Sequence, residues 1–89
     1  ADRHDWGITL ASNAGNKDIV LFLLSKITDK AKGYKRGLCG AAQGGHIDLV
    51  KCMIELGERF LDRESYGEAY SRAFAKGHME MTNFLRDKF

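Results

Sequence analysis

The run Ala41-Ala42-Gln43-Gly44-Gly45-His46-Ile47-Asp48-Leu49-Val50-Lys51-Cys52-Met53-Ile54 reads as the end of one helix, a tight turn at glycine and the start of a second, amphipathic helix. Two looser copies align with it without gaps: residues 6–24 and 68–86 against 36–54. The anchor glycines are then Gly15, Gly45 and Gly77, spaced by 30 and 32 residues. An internal repeat of this period constrains the fold more than any other feature of the chain. A unit of two short helices cannot bury its apolar face alone, and a neighbouring unit completes the core.

Each column of the alignment has a physical reading. Glycine ends the first helix because a left-handed backbone is cheap only without a Cβ. Ala11, Ala41 and Ala73, four residues earlier, are small enough for two helices to approach closely. Asp18, Asp48 and Glu80 fall in the first turn of the second helix, where negative charge suits the positive end of the helix dipole. Asn16, His46 and His78 open that helix and are placed to satisfy its free N–H groups. Ile19, Leu49 and Met81 begin an apolar stripe that continues at i+4 through Leu23, Met53 and Leu85.

The pattern Ala-Ala-x-x-Gly-His-x-x-φ-Val-x-x-φ-φ, with φ apolar, resembles the ankyrin repeat, and residues 41–54 match it best. The resemblance covers most of the chain and implies three repeats, at about 5–33, 34–64 and 65–89. The family's Thr-Pro-Leu-His opening is absent, and the chain has no proline. The spacings also fall short of the usual ~33 residues. The expected fold is therefore all-α, a solenoid of three ankyrin-like helix-turn-helix repeats with short or absent β-turn fingers. Degenerate, proline-poor repeats of this kind are similar to those in ankyrin and multigene-family proteins of large DNA viruses.

Six helices are expected, over 6–13, 17–27, 35–43, 47–57, 66–76 and 79–88, with linkers at 28–34 and 58–65. Phe60 and Leu61 predict a turn of helix packing back within the second linker. The chain has 89 residues, enough for one domain. No segment approaches the ~18 apolar residues of a membrane helix, and the first residues lack signal-peptide architecture. Cys39 and Cys52 read as unpaired thiols of a reducing compartment, so the expected location is intracellular and cytoplasmic. Residues 19–24 are apolar all round, and a helix without a polar face wants burial on both sides. That implies self-association or continuation into further repeats, although Lys76, Arg86, Asp87 and Lys88 could serve as a polar cap at the other end.

Nothing in the spacing of reactive side chains points to catalysis. His46 and His78 are repeat-equivalent and are placed by repeat geometry. With Cys39 and Cys52 they form no metal-binding pattern, and His4 lies near the start of the chain. No serine occupies a Gly-x-Ser-x-Gly elbow. The glycine-rich run 37–45 lacks the strand that a dinucleotide loop requires. The expectation is a non-enzyme without catalytic, cofactor or metal site.

In the resembled family, partners dock on the face formed by first helices and on the loops between repeats. Position by position, that face here implies Leu10, Asn13, Gly40, Gln43, Arg72 and Lys76. The loops imply Tyr34, Lys35 and Arg36, then Arg63, Glu64, Ser65 and Tyr66. Aromatic and arginine side chains dominate protein interfaces. The expected partner-binding residues are accordingly Tyr34, Lys35, Arg36, Arg63, Tyr66, Arg72 and Lys76, and the implied partner is a protein, a host regulatory one if the viral likeness holds. Two other readings stand beside this. Lys26, Lys30, Lys32, Lys35 and Arg36 could bind an anion or nucleic acid, although 14 basic against 12 acidic residues argues against a dedicated nucleic-acid binder. The chain could instead be a structural segment of a larger assembly.

Overall fold

The three glycine turns share one set of hydrogen bonds. In a computed structural model of the chain, which describes residues 3–88 and their side chains from Gly7 onward, Gly15, Gly45 and Gly77 have φ of 80°, 77° and 77°. The N–H of the next residue reaches back five positions: Asn16 to Ala11, His46 to Ala41 and His78 to Ala73, at 2.9–3.0 Å. The glycine N–H itself donates to Ser12, Ala42 or Phe74 at 3.1–3.2 Å. These two bonds define the Schellman ending, which satisfies carbonyls left over at a helix C-terminus and turns the chain toward the next helix.

The turns separate three helix pairs: α1 (Arg3–Ala14) and α2 (Lys17–Lys26), α3 (Lys30–Gly44) and α4 (Ile47–Gly57), α5 (Arg63–Ala75) and α6 (Met79–Arg86). The described residues contain no strand. A 3-10 turn at Glu58–Phe60 fills the second connection, and Leu61 after it is buried, as expected from the apolar pair there. The members of each pair pack together, and the extensive contacts between pairs run through α1, α3 and α5. The whole measures 31 × 24 × 22 Å. The side chains of His4 and Trp6 lie outside the described residues.

Three helices begin earlier than the sequence suggests: α1 at Arg3 and not at 6, and two others that share a cause. α3 starts at Lys30 and not at 35, and α5 at Arg63 and not at 66. The reason is a capping aspartate at each. The Asp29 carboxylate accepts from Lys32 N–H at 3.1 Å, and Asp62 accepts from Ser65 N–H at 2.8 Å and from the Ser65 hydroxyl at 2.9 Å. Tyr34, Lys35 and Arg36 are therefore helical residues, and so are Arg63, Glu64, Ser65 and Tyr66.

The core draws on both the first helices of the pairs, α1, α3 and α5, and the second, α2, α4 and α6. Ala11, Ala41 and Ala73 are all buried, as their small size requires. Leu49, Met53, Met81 and Leu85 are buried too. In the first pair the apolar stripe differs from expectation: Val20 and Leu24 are the buried residues of α2, Leu23 is half-buried and Ile19 is exposed. No earlier pair covers that side of α2 among the described residues. α1 and α3 approach so closely that a Cβ at Gly40 would lie 2.8 Å from the Ser12 Cβ and 2.9 Å from the Thr9 carbonyl oxygen. Gly40, expected on the partner-facing surface, is for this reason a buried packing residue.

Candidate interaction groove

Side chains that α3 sends out at i, i+3, i+4 and i+7 share one face of the helix. Lys32, Lys35, Arg36 and Cys39 are such a set. With Gly40, Thr9 of α1, and Glu68 and Arg72 of α5 they line a groove of about 260 Å³. Four cationic side chains thus surround one carboxylate. Glu68 joins the two sides: Lys35 Nζ lies 3.5 Å from its Oε2, and Arg72 Nη2 donates to its Oε1 at 3.2 Å. Arg72 Nη1 donates in turn to the Gln43 side-chain oxygen at 2.9 Å, tying α5 to α3. Partial burial pushes the Glu68 carboxyl up, but the Arg72 hydrogen bond and the charges of Lys35 and Arg72 outweigh it and hold the group below its usual value. The carboxylate stays charged and keeps the cations in position.

Cys39 forms part of the groove wall. Burial, with the Glu68 charge adding to it, pushes its thiol up to about 11, so it is protonated and a poor nucleophile near neutrality. Cys39 and Cys52 are both free thiols. The described residues hold no group of three or more His, Cys, Asp or Glu side chains that could bind a metal. None of their helices is long and apolar enough to cross a membrane.

The groove gathers Lys35, Arg36 and Arg72 of the seven residues expected to meet a partner. Tyr34 has another task. Its ring stacks on Phe60 at 5.5 Å between centroids and 6° between planes, and it covers Gly57, where a Cβ would collide with it. It fastens the second connection to α3 and is half-buried in doing so. Tyr66 is half-buried as well, and burial, with the Glu58 charge, raises its hydroxyl above the ordinary value. Arg63 sits in the first turn of α5 and Lys76 at its C-terminal cap, both exposed and outside the groove lining. Ser65 is buried beneath its Asp62 cap, while Leu10, Asn13 and Glu64 are exposed.

The basic run is also divided. Lys32, Lys35 and Arg36 line the groove, whereas Lys26 lies over the Phe22 ring at 5.3 Å and Lys30 Nζ donates to the Leu24 carbonyl. Thr9, Cys39 and Glu68 line the groove but are not among the residues expected to meet a partner. The i, i+4 pair Glu68–Arg72 and the α3 spacing could have found Glu68 and Cys39. Thr9 needed the contact between α1 and α3.

His46 and His78 act between pairs and not as caps. Neither side chain caps its own helix, and neither does Asn16. The His46 Nε2 lies 2.9 Å from the Asn13 carbonyl oxygen, and the His78 Nε2 lies 2.9 Å from that of Gln43. Each ring also covers the previous turn glycine: a Cβ at Gly15 would be 2.8 Å from His46, and one at Gly45 would be 2.9 Å from His78. Family models, curated proteins and solved structures all lack a match to this chain.

Proposed function

We propose that this chain is a non-catalytic protein-binding module, a short solenoid of three ankyrin-like repeats that takes an acidic segment of a partner into the groove along its first helices. The observation that carries this reading is the groove itself, with Lys32, Lys35, Arg36 and Arg72 around Glu68. Its cations are spaced along two helices and pre-ordered by the Lys35–Glu68–Arg72–Gln43 chain of contacts. An extended acidic segment complements that array in charge, and such complementarity governs on-rate and partner choice. The repeated turns and the alignment of the three copies support the ankyrin-like description. Free thiols and the absence of a spanning helix among the described residues fit an intracellular location, and a host regulatory protein is the partner class that the viral likeness suggests.

The test is affinity capture from cells with the wild-type chain and with Arg36→Glu/Arg72→Glu. Both side chains are exposed, so the helical circular dichroism should persist. A partner held in the groove should be lost from the variant, with affinity falling roughly tenfold or more. Undiminished capture by the double variant would sink the groove as the binding site.

A further inference from the structure

The two junctions between pairs share the same turn contacts, and each end of the row presents one half of such a junction. Three repeat columns show it. Ser12 and Ala42 are fully buried beneath the following pair, yet their equivalent Phe74 is 61% exposed. Leu49 and Met81 are buried, yet their equivalent Ile19 is 50% exposed. Phe22 is 60% exposed where Cys52 and Phe84 are half-buried. The turn glycines repeat the pattern: imidazoles cover Gly15 and Gly45, while nothing lies within 4 Å of a Cβ placed on Gly77.

We propose that a second copy of this chain docks head to tail, its α1–α2 face seated on the α5–α6 face of the first. The occupant follows from continuity with the two internal junctions. The face that α5–α6 presents is the repeat equivalent of faces already covered by α3–α4 and α5–α6. The face that α1–α2 presents is the equivalent of those that do the covering. In the register of the second junction Leu10, which is 59% exposed, takes the place of Arg72 and rests against Phe74; the closer first junction, with Gly40 against Ser12 in these places, has no room for such a pair. Asn16 takes the place of His46 and His78 beside Gly77 and the Ala75 carbonyl, the equivalent of the Asn13 and Gln43 carbonyls. Two apolar ends become one covered contact. Because the contact joins unlike faces, a pair of copies keeps one free face of each kind, and further copies can add. The groove plays no part, so this assembly stands or falls independently of the proposed partner.

Sedimentation equilibrium over a concentration series, up to the millimolar range, tests it with Leu10→Glu and Phe74→Glu. Both sites are exposed, and an unchanged circular dichroism spectrum verifies folding. The wild-type average mass should rise past that of a dimer. Each variant alone should remain a monomer, because each lacks one face. An equimolar mixture should form a one-to-one dimer and stop there, the intact tail of Leu10→Glu meeting the intact head of Phe74→Glu. Asn16→His should tighten wild-type association by about fivefold, the worth of one hydrogen bond, since Asn16 makes no cap bond to lose. A wild-type chain that stays monomeric throughout overturns the proposal, leaving the ends to another occupant. So does a single variant that still self-associates, or a mixture that shows no dimer. An Asn16→His chain that associates no more tightly than wild type overturns the placement of Asn16 beside Gly77.

Discussion

α2 and α4 hold the same place in successive pairs and are treated differently by the fold. α4 lies in the middle of the row, with Leu49, Val50 and Met53 all buried. α2 is the more continuously apolar in sequence, yet it buries only Val20 and Leu24 and leaves Ile19 and Phe22 exposed. Apolar character alone does not decide burial here. A preceding pair does: α6, with a neighbouring pair on that side alone, still buries Met81 and Leu85.

The largest effect that could break this comparison is at Met53, which is fully buried with its sulfur 2.9 Å from where a Cβ of Gly37 would stand. Met53→Ala should lower unfolding free energy by about 2–5 kcal/mol in urea titration. Ile19→Ala, the same kind of truncation on the open side of α2, should stay within about 0.5 kcal/mol. Equal losses would mean that the two helices are buried alike.

A smaller effect sharpens the same contrast between covered and open positions. Gly45 and Gly77 share a φ of 77°, but only Gly45 is overlaid by a histidine ring. Gly77→Ala should lose about 1–2 kcal/mol, the strain of a left-handed residue with a Cβ. Gly45→Ala adds displacement of His78 and its bond to Gln43, so it should lose about 1 kcal/mol more. The difference in urea midpoints, at constant m, reads the histidine contact directly.

The smallest expected change concerns the helix caps, where α5 has an aspartate and α6 has no side-chain cap. The Ser65 backbone and side-chain hydrogen bonds hold the Asp62 carboxyl below its ordinary value. A depressed carboxyl contributes stability that is full above its unfolded pKa and is lost as pH falls through the folded one. Thermal unfolding of wild type and Asp62→Asn should therefore differ near neutrality and converge in acid. A gap that is constant with pH would remove the charged cap from the account.

The legibility of the sequence follows the range of the interactions involved. The glycine turns could be read because their requirement is local: a left-handed residue and a helix on each side. The second half of each pair was readable from its stripe, except at Ile19, whose exposure depends on what lies beside α2. The start of α3 was obscured by a charged run containing Gly33, which looks like a loop. Gly33 is in fact buried against Leu24 and Ile27, and Asp29 caps the turn. Asp29 and Asp62 were local signals that could have been used. The groove was only partly legible: Glu68 could be read from its i, i+4 pairing with Arg72, whereas Thr9 reaches the groove through the contact between α1 and α3, which no spacing within one segment reveals.

The junction geometry also determines where this chain can change length. All three turns keep one residue between the glycine and the next helix, and the same pair of backbone bonds. The connections between pairs differ: three residues join α2 to α3, whereas a 3-10 turn and two further residues join α4 to α5. The two-residue difference in spacing is taken up outside the turns. A residue inserted between Gly45 and Val50 would rotate the rest of α4 by about 100° and swing Met53 out of the core. One inserted beside the exposed Arg59 would lengthen the connection and leave both helices in register, at the expense of the Phe60 and Leu61 contacts alone. Natural or engineered variation in length belongs in those connections, and the turns are the segments where the ruler cannot slip.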